Sequence, residues 1–240
     1  MMIISHKHKY LFIEVPRTGT TTISEVLCSH YDGERILRKH SSLLNFRAHT
    51  SNRFKDYFIF SSMRNPMDRV LSLYFKLRNG QKNPLTKSSS YGIQMGDLLF
   101  RRHYNFIQKK NVTFSDYFLK FYRWPYNDTT GTHENIDFII RFEYLEADFN
   151  KALTLLRINK RIDLPTLNPT KGRRRNFLEY YNQRTWERAV KVFGPFFKKW
   201  GYKFPREWSP YEFSYFDQLK WNSSKVFLKS ALYLLYLGED

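Results

Sequence analysis

Short apolar runs alternate with amphipathic segments along much of the chain. Residues 10–15 read Tyr-Leu-Phe-Ile-Glu-Val and are ended by Pro16, which is the pattern of a short buried strand. Small residues follow, and apolar residues then recur at helical spacing over 23–30. The start of the chain is therefore predicted to form a strand, a tight turn and a helix.

A second strand–turn–helix unit follows. Residues 57–63 form an apolar run. Asn65 is a good N-cap, and Pro66 suits the first helical position because its missing N–H costs nothing there. A third β-like run at 138–142 precedes an amphipathic segment at 145–156. Strands that alternate with helices predict an α/β fold, a P-loop-like parallel sheet flanked by helices.

Length and composition favour one folded domain with a small appendage. The chain has 240 residues, of which 42% are hydrophobic and 18% aromatic. This is enough to bury a sizeable core, and it excludes disorder for the bulk of the chain. Two polar stretches, 79–96 and 124–134, are predicted surface loops at the substrate mouth, because ligands in such sheets bind beyond the carboxyl ends of the strands.

The cysteine content and the N-terminal sequence indicate in which cellular compartment the protein is expected. The one cysteine, Cys28, excludes an internal disulfide framework and a cysteine-rich zinc module, and it fits a reducing compartment. The N-terminus lacks the order of a signal peptide. Residues 226–237 are too short to span a bilayer and are interrupted by Lys229. We expect a cytoplasmic protein in which 226–237 form a docked helix.

The charge balance calls for an anionic partner. The chain has 40 Lys and Arg against 22 Asp and Glu, a formal net charge of +18. Nucleic acid, a membrane surface or a small polyanion such as a phosphorylated cofactor would suit it. No helix-turn-helix, zinc-finger or RNP pattern is present, so we expect no nucleic-acid partner, while a peripheral membrane contact stays open. His6 and His8 have no further ligands at zinc spacing, so no metal is expected.

The turn after the first predicted strand has the features of an anion-binding loop. Gly19 lets the backbone bend close to an anion, and the loop leads into a helix N-terminus with N–H groups to donate. Arg17 adds a positive charge, and threonines at 18 and 20–22 add hydroxyl groups. The P-loop pattern G-x-x-x-x-G-K-[ST] is absent, and an ordinary turn capped by threonine is the alternative interpretation.

A second motif follows the second predicted strand. Arg64 comes directly before a helix N-terminus, and Ser72 lies two turns into that helix. A positive charge and a hydroxyl near a helix N-terminus suit a second phosphate group. The two motifs together are far more specific than either one alone.

Together the two motifs resemble the phosphate-binding motifs of the sulfotransferases. Residues 16–22 are similar to their 5′-phosphosulfate loop, P-[RK]-T-G-T-[ST], and 64–74 to their 3′-phosphate motif, R-[ND]-P-x-[DE]-R-x-x-S-x-Y. Further segments resemble the carbohydrate-type branch, with its heparan 2-O-sulfotransferase-like and bacterial members: 39–42, 138–145, 164–168 and 180–204. The resemblance covers about residues 9–205, so 1–205 are expected to be a sulfotransferase domain with that fold and 206–240 an accessory segment.

The resemblance implies a donor and an acceptor. The donor would be 3′-phosphoadenosine 5′-phosphosulfate (PAPS), used without a metal. The acceptor would offer a hydroxyl group, with a sugar favoured and a small alcohol, phenol or natural product left open. Lys171-Gly172-Arg173 is a weak echo of the adenine-side R-K-G motif. The residues implied to bind the cofactor are Pro16, Arg17, Thr18, Gly19, Thr20, Thr21, Thr22, Arg64, Ser72, Lys171 and Arg173.

Transfer to a hydroxyl group benefits from a base, and histidine titrates near neutral pH. His40 lies in a K-H-x-[ST] pattern before Arg64, close to the spacing of the family's catalytic histidine. We therefore expect His40 to be the base and Arg17 to stabilise the leaving phosphate, with His49 and then Glu143 as alternatives. The competing hypotheses are a nucleic-acid-binding basic protein, a nucleotide kinase and an inactive PAPS-binding module.

Overall fold

The computed structural model describes most of the chain, in two compact units. The described residues are 2–36, 54, 56–80, 95–127, 133–134, 136–165, 167, 170–174 and 176–224. Those within Met1–Asn65 and Asp128–Pro169 form one unit, which we call the sheet unit. Those within Pro66–Asn127 and Thr170–Ser223 form the other, which we call the helical unit.

The sheet unit is built on a mixed sheet of five strands in the order β3-β1-β2-β4-β5. The strands are β1 (Met2–Ser5), β2 (Tyr10–Ile13), β3 (Glu34–Ile36), β4 (Phe58–Met63) and β5 (Phe138–Arg141). Strand β4 pairs in parallel with both β2 and β5, whereas β1 pairs in antiparallel with both β2 and β3. The predicted α/β fold is confirmed. The parallel sheet that we predicted is formed by β2, β4 and β5 on one side, and the antiparallel pairs of β1 make the whole sheet mixed.

Both faces of the central strands are buried. Along β2, Phe12 packs with Phe60 and Ile140 in one apolar cluster, whereas Leu11 and Ile13 belong to another. Successive side chains point to opposite faces of a strand, so the continuous apolar run seen in the sequence is what a strand covered on both faces requires. Rings of Phe12 and Phe60 lie 5.1 Å apart.

Helices cover one face of the sheet and make up most of the second unit. In chain order they are α1 (Thr20–His30), α2 (Pro66–Arg78), α3 (Met95–Ile107), α4 (Phe114–Phe121), α5 (Leu145–Leu155) and α6 (Gln183–Trp200). Residues 215–224 are also helical. In the sheet unit, α1 and α5 contribute Ile23, Leu27, Phe149 and Leu153 to the cluster around Phe12.

The helical unit is organised around aromatic side chains, with Tyr181 at the centre. Its ring lies 4.9 Å from that of Phe114 and 5.3 Å from that of Phe118. Its hydroxyl donates to the carbonyl of Met67 at 3.0 Å. Burial raises the pKa of Tyr181 well above its usual value, so the hydroxyl stays protonated and acts as a donor. Edge-to-face ring contacts of this kind add to the apolar burial that stabilises the unit.

Residues 206–224 pack on α6. Trp208 is buried and stacks on Trp186, with ring centroids 5.5 Å apart. Trp221 donates its indole N–H to the carbonyl of Tyr126 at 2.9 Å. The helix predicted at 226–237 lies outside the described residues, and the domain boundary at residue 205 stays a prediction. In the part of the chain that the structure describes, no helix is long and apolar enough to cross a membrane.

The predicted surface loops lie largely outside the described residues. Residues 81–94 and 128–132 are not described, and α3 begins at Met95. The polar stretch that we assigned to 79–96 therefore overlaps a helix at its end.

We predict that Gly194→Ala lowers the free energy of unfolding, although alanine normally stabilises a helix by about 1 kcal/mol relative to glycine. A Cβ at residue 194 would lie 2.6 Å from Cγ of Phe213, an overlap that costs about 1–3 kcal/mol when a packed core must shift. Urea unfolding measures the change. In a Phe213→Gly background, which also removes the Cβ that would lie 2.9 Å away, the same substitution should become neutral or stabilising. Higher stability of Gly194→Ala alone would contradict this packing.

Candidate active site

The β2–α1 loop (residues 14–19) turns through two left-handed residues. Arg17 has φ 68° and Gly19 has φ 83°. Gly19 is the N-cap of α1 and no side chain caps this helix, so its first-turn amides are suited to an anion. A Cβ at residue 19 would lie 3.1 Å from atoms of both Phe142 and Leu145. Glycine is therefore needed at this position for both conformation and space.

Thr18 points inward and holds the loop. Its hydroxyl donates to the carbonyl of Val15 at 2.8 Å and lies 2.6 Å from the hydroxyl of Ser62, and its side chain is buried. Because the one hydroxyl proton of Thr18 goes to Val15, the Ser62 hydroxyl must donate to Thr18. This pair ties the loop to strand β4.

The three threonines that begin α1 differ in exposure. Thr20 and Thr22 are buried, whereas Thr21 is exposed. The Thr22 hydroxyl donates to the carbonyl of Pro165 at 3.1 Å. The sequence pattern suggested that all of these hydroxyl groups could contact a phosphate. The structure shows that the hydroxyls of Thr18 and Thr22 bond to main-chain carbonyls, so backbone amides are the main donors that this loop can offer.

Arg64 is the buried cation of the site. Its guanidinium carbon lies 4.0 Å from the ring centroid of Phe142, and one of its nitrogens donates to the carbonyl of Arg17 at 3.3 Å. The residue is only 8% exposed. Stacking on an aromatic face fixes a planar guanidinium without neutralising its charge. The structure thus brings together Arg17 and Arg64, which the sequence analysis had assigned to two separate motifs.

Glu143 lies next to this arrangement. It belongs to a short 3-10 helix, Phe142–Tyr144, directly after β5. Its carboxylate accepts a hydrogen bond of 2.6 Å from the backbone amide of Asn65. Glu143 is exposed, and it directly follows Phe142, the residue on which the Arg64 guanidinium stacks.

The helical unit holds the remaining predicted cofactor residues. Asp68 and Ser72 of α2, and Asn79 directly after it, contact the segment 170–173. Asp68 pairs with Arg173, the hydroxyl of Ser72 lies 2.9 Å from that of Thr170, and the amide of Asn79 donates to the carbonyl of Lys171 at 2.7 Å. Gly172, between the two predicted cations, has φ 73°. Ser72, Lys171 and Arg173, distant in the sequence, are therefore brought to one face of α2.

His40 and His49 both lie outside the described residues, so the assignment of the base stays a prediction. Among the described residues, no group of three or more His, Cys, Asp or Glu side chains is placed to hold a metal ion.

The sequence analysis missed two buried polar residues beside the loop. Glu14 is 6% exposed and accepts a hydrogen bond of 2.6 Å from the Ser24 hydroxyl. His133 is 5% exposed, and its Nε2 lies 3.0 Å from the carbonyl of Ser62, so this nitrogen carries the proton that it donates. A glutamate inside an apolar run was a signal for Glu14. Nothing in the local sequence marks His133.

The model of the family described as Sulfotransferase family matches residues 1–197, a range that includes the β2–α1 loop, Arg64, Ser72 and the 170–173 segment. The chain belongs to the sulfotransferase family. No curated protein and no solved structure matches it. Membership of this family supports sulfuryl transfer as the general activity of the chain and agrees with its α/β fold.

We predict that Thr18→Val lowers the free energy of unfolding by about 1–3 kcal/mol, because it removes the acceptor of Ser62 and the donor to Val15 while keeping the volume. Thr18→Ser keeps the hydroxyl and is the matched control. Guanidinium unfolding of the two variants measures the difference. Equal stability of Thr18→Val and Thr18→Ser would contradict a structural role for this hydroxyl.

Proposed function

We propose that the chain transfers a sulfuryl group from PAPS to a hydroxyl group of a carbohydrate. The observation that carries the proposal is the buried Arg64 guanidinium, which is stacked on Phe142 and bonded to the carbonyl of Arg17. This is a preformed cationic site beside a loop that ends in an uncapped helix. Family membership supports sulfuryl transfer, and the donor and acceptor are our proposal.

The β2–α1 loop suits the 5′ end of the donor. Two left-handed residues direct the loop, and the first amides of α1 have no side-chain cap. A non-glycine residue in the left-handed region costs about 1–3 kcal/mol, and in the described residues Arg17 shares this conformation with Lys9, Asp32, Asn111 and Arg157. When bound, PAPS supplies the sulfuryl group and a 5′-phosphate leaving group. Arg17 and the amides of Thr20, Thr21 and Thr22 would bind its oxygens and stabilise the negative charge that develops there.

Arg64 and Ser72 suit the 3′-phosphate. Arg64 directly follows strand β4, and Ser72 lies on α2, the helix that begins at Pro66. Lys171 and Arg173 add positive charge on the segment that Ser72 contacts through Thr170. Arg173 already pairs with Asp68, which orients it and reduces its net contribution. Lys171 is exposed and is therefore the better candidate of the two to contact a ligand.

The base and the acceptor rest on the resemblance to the carbohydrate-type branch. In our proposal His40 takes the proton of the acceptor hydroxyl at a ring nitrogen as that oxygen attacks, and His49 or Glu143 is the alternative. The K-H-x-[ST] pattern at 39–42 supports His40. A small alcohol or natural product is the alternative acceptor.

The nature of the acceptor can be tested with labelled PAPS, incubated separately with a pool of carbohydrates and a pool of small alcohols. Label that appears in the small-alcohol pool alone would exclude a sugar acceptor.

We predict that Arg64→Ala weakens binding of adenosine 3′,5′-bisphosphate about 10- to 100-fold, the loss expected when a charged hydrogen bond to phosphate is removed. Binding of adenosine 5′-monophosphate should change little, because it lacks the 3′-phosphate. Isothermal titration with both ligands measures this ratio. Arg35→Ala, which removes another arginine of the sheet unit that pairs with Glu25, is the control. An unchanged preference for the bisphosphate in Arg64→Ala would refute the assignment.

We predict that His40→Ala lowers turnover by about 10²- to 10⁴-fold, the usual range for a lost general base, with donor affinity close to that of the unaltered protein. Rates over a range of pH, together with bisphosphate binding, separate catalysis from binding. His30→Ala, at the exposed end of α1, is the control. Near-normal turnover at all pH values would remove His40 from the mechanism and favour His49 or Glu143.

A further inference from the structure

The helical unit carries a basic groove that the proposed transfer reaction does not use. The groove has a volume of about 630 Å³ and lies between the end of α4, α6 and the helix at 215–224. Its cationic lining residues are Arg123, Arg184, Arg188, Lys191 and Lys220. Only two acidic residues, Glu187 and Asp217, are part of the lining.

Both acidic residues are occupied by local contacts. The carboxylate of Glu187 pairs with Lys191 at 2.6 Å, and Lys191 lowers its pKa. The carboxylate of Asp217 accepts hydrogen bonds from the backbone amide and the hydroxyl of Ser214, at 2.9 and 2.8 Å, as in the N-terminal cap of a helix. Arg184 also pairs with Asp116 at 3.7 Å. Five cations against these three carboxylates still leave the groove with a net positive charge.

Large apolar side chains are exposed beside these cations. Trp124, Tyr215 and Phe216 are 67%, 74% and 71% exposed, and Leu219 is 40% exposed. Phe216 lines the groove itself, and the Lys220 ammonium lies 5.7 Å from the ring centroid of Trp124. We call these four apolar residues, together with Arg123, Arg184, Arg188 and Lys220, the aromatic–basic face.

The helix at 215–224 is anchored on one side and exposes large apolar residues on the other. Its inward side is anchored by Trp221, which is buried and bonded to the carbonyl of Tyr126. Tyr215, Phe216 and Leu219 occupy the opposite, solvent side, where a surface helix normally presents polar residues. Contiguous exposed apolar surface next to polar groups indicates an interaction site.

The composition of the face fits an anionic membrane surface. Tryptophan and tyrosine are enriched at the membrane–water interface, and Lys and Arg beside them are attracted to anionic headgroups. A soluble polyanion such as nucleic acid would use the cations and stack on the rings, but it would gain nothing from Leu219.

We propose that the aromatic–basic face binds peripherally to a bilayer that contains anionic lipids. The apolar side chains enter the interface, while Arg123, Arg184, Arg188 and Lys220 contact headgroups. This inference goes beyond the proposed function and does not depend on it, because all of its residues lie on the helical unit and none belongs to the proposed cofactor site.

Flotation of the full chain with phosphatidylcholine vesicles, with or without phosphatidylglycerol, tests the proposal. We expect binding only to the anionic vesicles, with a loss at high salt. Arg188→Gln and Lys220→Gln should each weaken partitioning about fivefold, since one cation near an anionic surface contributes about 1 kcal/mol. Phe216→Ser should also weaken it. Matched controls are Lys109→Gln, Lys110→Gln and Leu155→Ser, exposed residues elsewhere, and circular dichroism checks that each variant is folded.

Four results would overturn the proposal. One is the absence of the full chain from the anionic vesicle fraction at low salt. Another is an equal loss of vesicle binding in the control variants. The third is a lack of vesicle binding together with a concentration-dependent dimer that analytical ultracentrifugation detects and that Phe216→Ser abolishes. This result would assign the face to contact with a second copy of the chain. Tight binding of a DNA or RNA oligonucleotide that Lys220→Gln weakens, again without vesicle binding, would instead indicate nucleic acid.

Discussion

The parallel pairing of β2 with β4 is the constraint on which the candidate site depends. Tyr10 pairs with Phe58 and Ile13 with Ser61, so both strands end at the same edge of the sheet. The β2–α1 loop leaves this edge from one strand and Arg64 from the other. With β5 parallel to β4, the same edge also receives Phe142 and Glu143. A cation, the ring on which it stacks and a glycine-containing loop are thereby brought together from three distant parts of the chain.

The surrounding hydrogen bonds explain how the loop can hold an unfavourable conformation. Arg17 lies in the left-handed region, which is costly for a residue with a Cβ. Buried polar contacts on both sides offset that cost. Thr18 bonds to Ser62 and Val15, Glu14 accepts from Ser24, and the carbonyl of Ser62 faces His133. A loop fixed in this way is preorganised, so little conformational entropy is lost when an anion binds.

The parts of the fold that follow local rules were predicted from the sequence, and the parts that depend on distant contacts were not. The apolar runs at 10–15, 57–63 and 138–142 became the three parallel strands. Strand β3 was missed because two of its three residues, Glu34 and Arg35, are charged and exposed. Strand β1 was missed because its four residues have no turn signal before them that would mark the start of a strand. Helix α6 was also missed, since Gly194 and Pro195 within it usually mark a break, and its packing against Phe213 is visible only in three dimensions.

The candidate site likewise combines residues that the sequence predicted with contacts that it did not predict. The motifs at 16–22 and 64–74 identified Arg17, Gly19, Arg64 and Ser72, because charge, glycine and helix start have local signatures. Two contacts were not predicted: the inward orientation of Thr18 and the stacking of Arg64 on Phe142. Both depend on the edge of the sheet at which these residues meet.

The central claim is that this sheet edge binds a nucleotide with phosphates at both its 3′ and 5′ positions. Hydrogen–deuterium exchange of the full chain, with and without adenosine 3′,5′-bisphosphate, tests it most directly. The account predicts slower exchange of backbone amides at 15–22 and 64–72 in the presence of the bisphosphate, and no comparable effect of ATP. Unchanged exchange in both segments at saturating bisphosphate, or protection confined to the basic groove, would contradict it.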